Sequence, residues 1–330
     1  MSAGASASGA DARTYDLVHR TRYTYTEPVT ASYGRAVLVP RDLPDQVRHD
    51  VAVTIEPAPV DTRLHTDYFG NTSTYFAVAT PHTELVVTAR SRLTVTRTQA
   101  DVAALPRATW GDVERAVRPG GTIEASLRSD RDARVVLDAT DGIGLVALRE
   151  ALLPSRHVVF SAAVRDWAAP SFEPGRPLAE LLADLAHRIR TEFAYRSGST
   201  TVSTTQVELL AQKAGVCQDF AHLMIAALRM HGVPARYASG YIETRPAPGT
   251  QKLRGADASH AWVSVWLPGA GWVEVDPTND KFIDERYVVL GWGRDYSDVP
   301  PLRGVIYTEG TSSRLTVSVD LVPAGAVPFS

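Results

Sequence analysis

The hydrophobic period of this chain changes twice, and that constrains its fold more than any other feature. From Arg13 to about Arg97 it runs at two: RTYDLVHRTRYTYTEP, VRHDVAVTIEP, STYFAVAT and ELVVTARSRLTVTRT are rich in Val, Thr and Tyr. EP, DYFGN and TPHTE clusters break them as turns break antiparallel strands. From Arg176 the period becomes 3.6, with Leu178, Leu181, Leu182, Leu185, Ile189 and Phe193 on one stripe and Pro177 at a first helical position. A second helix follows from Thr205 to Lys213, where Thr205 and Glu208 suit a capping box, and a third begins at Cys217. After Pro246 strands return in SHAWVSVWLPGAGWVEVDP and GVIYTEGTSSRLTVSVDLVP.

The pattern predicts an α+β chain: an N-terminal antiparallel β-sandwich-like domain, then helices packed on an antiparallel sheet. The divisions expected are a tail at 1–12, the β-domain at 13–98, a connector at 99–161, a core at 162–300 and C-terminal strands at 301–330. PGG at 119–121 and SDRDAR read as loop within the connector, and LVALREALL as a short helix. Apolar residues are 44% of the 330, enough for a core, and 34 Lys and Arg against 37 Asp and Glu leave a net charge of −3. That balance gives no basic footprint for nucleic acid and no polybasic membrane patch. The N-terminus has no apolar signal region, and no run reaches the ~20 apolar residues of a membrane span. A cytoplasmic location is the expectation.

One cysteine in the whole chain excludes an internal disulfide and multi-cysteine zinc sites. It lies in GVCQDFAHLMIAALRMHGVPARYASGYIE. At ~100° per residue, positions 217, 221, 224 and 228 share the apolar face, so Cys217 meets the core at the helix N-terminus. Unsatisfied N–H groups and the macrodipole there favour a thiolate nucleophile, and can hold an oxyanion formed by its attack. The helix alone suits inert packing better, since free cysteines are among the most buried residue types.

Partners for chemistry lie downstream. His222, five residues on, points ~140° away around the helix and reads as structural. His260, Trp262, Ser264 and Trp266 share one strand face, and Trp272, Glu274 and Asp276 one face of the next. An odd hairpin loop, or a bulge, makes His260 and Asp276 diagonal neighbours. A four-residue loop without a bulge separates them. With Asp276 on imidazole Nδ1, the tautomer would be fixed and the imidazolium stabilised. No HExxH or Cys/His cluster exists, and His65-Thr66-Asp67 is a weak metal site alone. No metal or cofactor is expected, nor a calcium requirement, because DPTNDKFIDE lacks the dense ligand loop that calcium needs.

The segments GVCQDFAHLMIAALRMHGVPARYASGYIE, ASHAWVSVWLPGAGWVEVDPTND and GRDYSDVPPLRGVIY resemble the transglutaminase-like superfamily, specifically its bacterial members regarded as cysteine proteases. YGRAVLVPR and DYFGN are similar to that group's N-terminal domain. The resemblance implies a papain-like core with Cys217, His260 and Asp276 as its catalytic triad. It implies a second oxyanion donor upstream of the cysteine, for which Tyr195 and Gln212 are candidates beside the Cys217 N–H. Gln218 and Asp219 suit caps of the first turn, and Trp262 and Trp272 suit cleft walls or core. The expected activity is thioester-forming attack on an amide or peptide bond, as a protease or amidase before a cross-linking transglutaminase. The alternatives are a protein-glutamine or amine acyltransferase, and a non-catalytic peptide-binding scaffold. Arylamine-type acetyl transfer shares the Cys…His…Asp order but is disfavoured by SHAW and DPTND. A peptide, protein or small amide is the expected substrate, and a homo-oligomer is compatible with the chain.

Overall fold

The computed structural model describes residues 12–117, 142–244 and 259–325. PGG and SDRDAR, and nearly all of the tail, lie outside them. Five strands come first: β1 (Arg13–Ala36), β2 (Gln46–Glu56), β3 (Asp61–Thr66), β4 (Thr72–Val78) and β5 (His82–Val95). The helical part holds α1 (Trp110–Val117), α2 (Gly142–Glu150), α3 (Ala162–Ala168), α4 (Leu178–Glu192) and α5 (Gln206–Gln212), then α6 (Cys217–Met230). Two short strands, β6 (Ala194–Tyr195) and β7 (Ala214–Gly215), flank α5. Next come β8 (Ala235–Ile242), β9 (Ser259–Leu267), β10 (Gly271–Asp276), β11 (Lys281–Phe282) and β12 (Tyr287–Gly293), and the chain returns through β13 (Leu302–Thr308) and β14 (Ser313–Pro323).

β1 is the spine of the N-terminal sheet. At 24 residues it is too long to stay flat, and its pairing register shifts between Thr24 and Val29, around the Glu27-Pro28 interruption. Its first half lies between β5 and β14, and its second half between β4 and β13. All neighbours break at the same level, so the sheet folds over itself. Tyr25, Val29, Leu38, Ile55, Phe76 and Val87 are packed inside the fold. The C-terminal strands therefore complete the N-terminal sheet.

The second sheet has the order β11-β10-β9-β8-β12. α6 lays Phe220, Leu223, Met224, Ala227 and Leu228 against Ala261, Val263, Val265 and Leu267 of β9, with the α4 stripe in the same core. Beyond the helix the same face of β8 and β12 meets the N-terminal sheet, where Tyr241, Val288 and Leu290 pack on Tyr15, Leu17, Leu93 and Leu321, and the opposite face carries Ala238, Trp262, Tyr287 and Val289 in a cluster of their own. β8 and β12 are thus covered on both faces and lack the alternation that marks a half-exposed strand. Pro177 sits at the N-cap of α4, one residue before the first helical position expected for it. No helix among the described residues is long and apolar enough to cross a membrane.

Candidate active site

The approach to Cys217 is pinned from both sides. Thr205 and Glu208 form a reciprocal capping box at the start of α5, and Lys213 ends that helix in the left-handed region at φ 52°. β7 then pairs in parallel with β6, setting Gly215 beside Tyr195. A Cβ on Gly215 would lie 2.7 Å from Leu209 Cδ1 and 3.0 Å from Asp219 Oδ2, so any side chain here would have to displace Leu209. Asp219 turns back to accept from the Val216 N–H at 2.9 Å and the Thr200 hydroxyl at 2.6 Å. Its burial raises its pKa, against the pull of those two donors. The half-buried Cys217 is thereby presented at the first position of α6, where backbone N–H groups lack helical acceptors.

The histidine and aspartate arrive on a hairpin. Leu267 pairs with Gly271, Trp266 with Trp272, Ser264 with Glu274 and Val263 with Val275. The loop is the three residues Pro268, Gly269 and Ala270, with Gly269 at φ 83° and Gly271 at φ 75°. An odd loop keeps both even-numbered sets on one face, and His260 Nε2 lies 2.7 Å from Asp276 Oδ2. The carboxylate occupies Nε2, not the Nδ1 expected from the sequence, because Asp276 extends past the end of the pairing and meets the far side of the ring. Nδ1 is the ring nitrogen left free of Asp276, and the Cys217 sulfur lies close enough to the imidazole to raise its pKa.

Asp276 is fully buried. Oδ2 also accepts from Asn279 Nδ2 at 2.6 Å and Tyr287 Oη at 2.7 Å, and Oδ1 from the Thr278 N–H at 2.8 Å. Burial alone would raise its pKa, but the His260 charge and these donors outweigh it and hold the group below the ordinary carboxylate value. For His260, burial works toward the neutral ring. The Asp276 carboxylate and the Cys217 sulfur outweigh it and push the pKa up to about 10. The arrangement therefore keeps an imidazolium between an acid and a sulfur, with little water around it.

Two family models match the chain: the transglutaminase-like superfamily over residues 165–277, and the bacterial transglutaminase-like N-terminal region over residues 15–94. An uncharacterised protein of Mycobacterium tuberculosis is 45% identical over 315 residues, covering 94% of this chain and 92% of its own. The chain belongs to the transglutaminase-like superfamily. A solved structure from Cytophaga hutchinsonii, of a protein proposed to be a cysteine protease, superposes with a TM-score of 0.68 at 19% identity. That match covers 97% of this chain and 94% of the other, and shows the shared fold. A protein-glutamine gamma-glutamyltransferase of Pseudomonas aeruginosa is 38% identical over 103 residues, 30% of this chain and 15% of that protein.

Within this transglutaminase-like core, Tyr195 stands 54% exposed beside the approach to Cys217. Its hydroxyl pKa is raised by burial first and by the Cys217 sulfur second. Gln212 is exposed at the last turn of α5. Trp262 is fully buried under His260, packs edge-on against Tyr287 at 5.5 Å and donates its indole N–H to Glu274 at 3.2 Å. Trp272 stacks on the Arg236 guanidinium at 4.0 Å, at the opposite end of β10 from Asp276. His222 is a buried strut: its Nε2 accepts from the Tyr296 N–H, its ring stacks on His157, and burial pushes its pKa down to about 3. Sequence reasoning did not single out Asn279 and Tyr287. Asn279 stands in the quoted DPTND segment, whereas Tyr287 carries no local signal and is found only once β12 is placed. Among the described residues no group of three or more His, Cys, Asp or Glu is placed to hold a metal ion.

Proposed function

We propose that the chain is a cysteine-dependent acyl-transfer enzyme, with Cys217 as nucleophile, His260 as acid and base, and Asp276 as the group that orients and charges the imidazole. The observation that carries this is the buried 2.7 Å contact between His260 and Asp276, on an imidazole whose pKa the Cys217 sulfur at the start of α6 also raises. In the first half-reaction the sulfur adds to an amide carbonyl. The oxyanion is held by the Cys217 N–H, with the Tyr195 hydroxyl as the second donor candidate. His260 gives its proton to the departing amine, the C–N bond breaks and a thioester remains. In the second half-reaction His260 takes a proton from water or an amine as that nucleophile attacks. The thioester opens to an acid or a new amide, and the thiol is restored.

Hydrolysis is the favoured outcome. An amine competes with water only where the site guides it in, and among the described residues no acidic tract surrounds this half-exposed sulfur to gather cations. The similarity to a protein-glutamine gamma-glutamyltransferase keeps transfer as the second reading. The test is to trap the acyl-enzyme on Cys217 from a peptide-amide donor by mass spectrometry, then partition it between water and millimolar primary amine. Dominant free acid supports the hydrolase, dominant new amide the transferase, and no adduct on Cys217 refutes both.

A further inference from the structure

One line across the N-terminal sheet is costly to the fold. In register, Arg303 of β13 pairs with Arg35 of β1, Arg35 with Tyr75 of β4, and Tyr75 with Arg63 of β3. Residues directly opposite in antiparallel strands project from the same face, and like charges so placed are destabilising. The adjacent line runs Val305, Tyr33, Ala77 and Asp61 on that same face. Together they border an open trough of about 800 Å³, with Tyr33 53%, Tyr75 43% and Val305 61% exposed.

Counter-ions cover only part of this row. Arg63 pairs with Asp61 at 3.2 Å, and Arg35 reaches Asp67 at 3.7 Å and the Asp298 carbonyl at 2.7 Å. Arg303 makes no side-chain hydrogen bond or ion pair among the described residues, and neither does Arg156. These two arginines both border a second trough of about 630 Å³, with His157, Thr201, Ser203 and Tyr296. Its lining adjoins groups bonded to α6: the Tyr296 N–H donates to His222, and Thr200, next to Thr201, bonds Asp219 two residues beyond Cys217. Arg303 borders both troughs, so arginines line the β-domain face and the trough next to it, on a chain whose net charge is −3.

We infer that this arginine-lined face docks an acidic, extended polypeptide segment, from which an amide of the same chain reaches Cys217. Resting on the proposed function, it names that reaction's substrate class as protein carrying carboxylates near the scissile bond. The row crosses four strands, about 15 Å at the usual strand spacing, the length of some four or five extended residues. Tyr33, Tyr75 and Val305 offer apolar contact between the charges. Asp61 on the same face repels an unbroken run of phosphates or sulfates, which favours a polypeptide whose carboxylates alternate with apolar side chains.

The test is fluorescence anisotropy with a fluorescein-labelled peptide alternating Glu with Leu and Tyr, titrated with the full chain carrying Cys217→Ala. Binding is expected that weakens with salt, and falls about tenfold, the worth of one good interfacial charge pair, with Arg303→Glu in the same background. Because the introduced carboxylate would face Arg35, that variant keeps or raises the thermal midpoint, which separates lost docking from lost folding. Equal affinity of the two proteins overturns the inference, as does equal competition by an oligonucleotide or a sulfated glycan of matched charge. Binding is read without the nucleophile. Intact docking with no acyl-enzyme in the unmodified chain therefore upholds the surface and sinks only the reaction, while an acyl-enzyme without docking sinks the surface.

Discussion

Tyr287→Phe isolates the support beneath the imidazole. It deletes one hydroxyl and leaves the ring packed edge-on to Trp262 at 5.5 Å. The lost bond is a 2.7 Å donation to a buried carboxylate, and a hydrogen bond to a charged acceptor is worth about 1.5–3 kcal/mol. Asn279 Nδ2 and His260 Nε2 remain on the same oxygen, so the expected loss lies toward the lower end, about 1.5–2 kcal/mol at neutral pH. Its pH dependence follows from the direction of the shift. Asp276 is held below its ordinary value, so its stabilisation is present above that value and disappears as pH falls through the folded pKa. Removing a donor raises that folded pKa, and the variant should lose the stabilisation at higher pH than the parent. Urea denaturation at pH 7, 5 and 3 measures this: the gap between the proteins should be full at pH 7 and shrink toward pH 3. A gap under about 0.5 kcal/mol at pH 7, below the range for a hydrogen bond to a charged group, or one constant down to pH 3, refutes the account of Asp276 as an ionised, multiply held carboxylate.

Cys217→Ala should leave the denaturation midpoint within about 1 kcal/mol of the parent while abolishing the acyl-enzyme, as checked by urea melts and intact mass. His260→Ala should slow iodoacetamide labelling of Cys217 about as much as it slows turnover, whereas Asp276→Asn, which still fills the site, should leave measurable rate. In the alkaline direction, the raised His260 pKa stabilises the fold fully below the ordinary imidazole value of 6.5, and that contribution is lost as pH rises toward about 10. A His260→Gln variant should accordingly lose less stability between pH 6 and 10 than the parent, by parallel thermal melts. Gly240→Ala should destabilise by about 3 kcal/mol or more, since the new Cβ would lie 2.0 Å from the Val288 carbonyl oxygen and 2.5 Å from Trp262. Soluble yield and melting temperature report it.

What could be read from residues alone tracks how local each signal is. The α4 and α6 stripes carry a 3.6 period within one segment, and both helices stand where it places them. The facing of His260 and Asp276 depended on one unknown, the parity of the hairpin loop, and Pro268-Gly269-Ala270 settles it. β8 and β12 escaped because strands buried on both faces have no alternation, and a continuous apolar run does not separate strand from helix. The ring nitrogen facing Asp276 escaped for another reason. It depends on how far the carboxylate stands past the last paired residues, a matter of ångströms that no residue pattern encodes. Tyr287 and the arginine row are further still from local sequence. Tyr287 meets Asp276 across eleven residues only because β12 crosses to pair with β8, and Arg303 meets Arg35 across 268 residues only because the chain returns to close its first sheet. That return also places Arg303 on the border of both troughs. The C-terminal strands thus finish the N-terminal sheet and carry the arginine that the two troughs share, and a truncation before Leu302 would remove both at once.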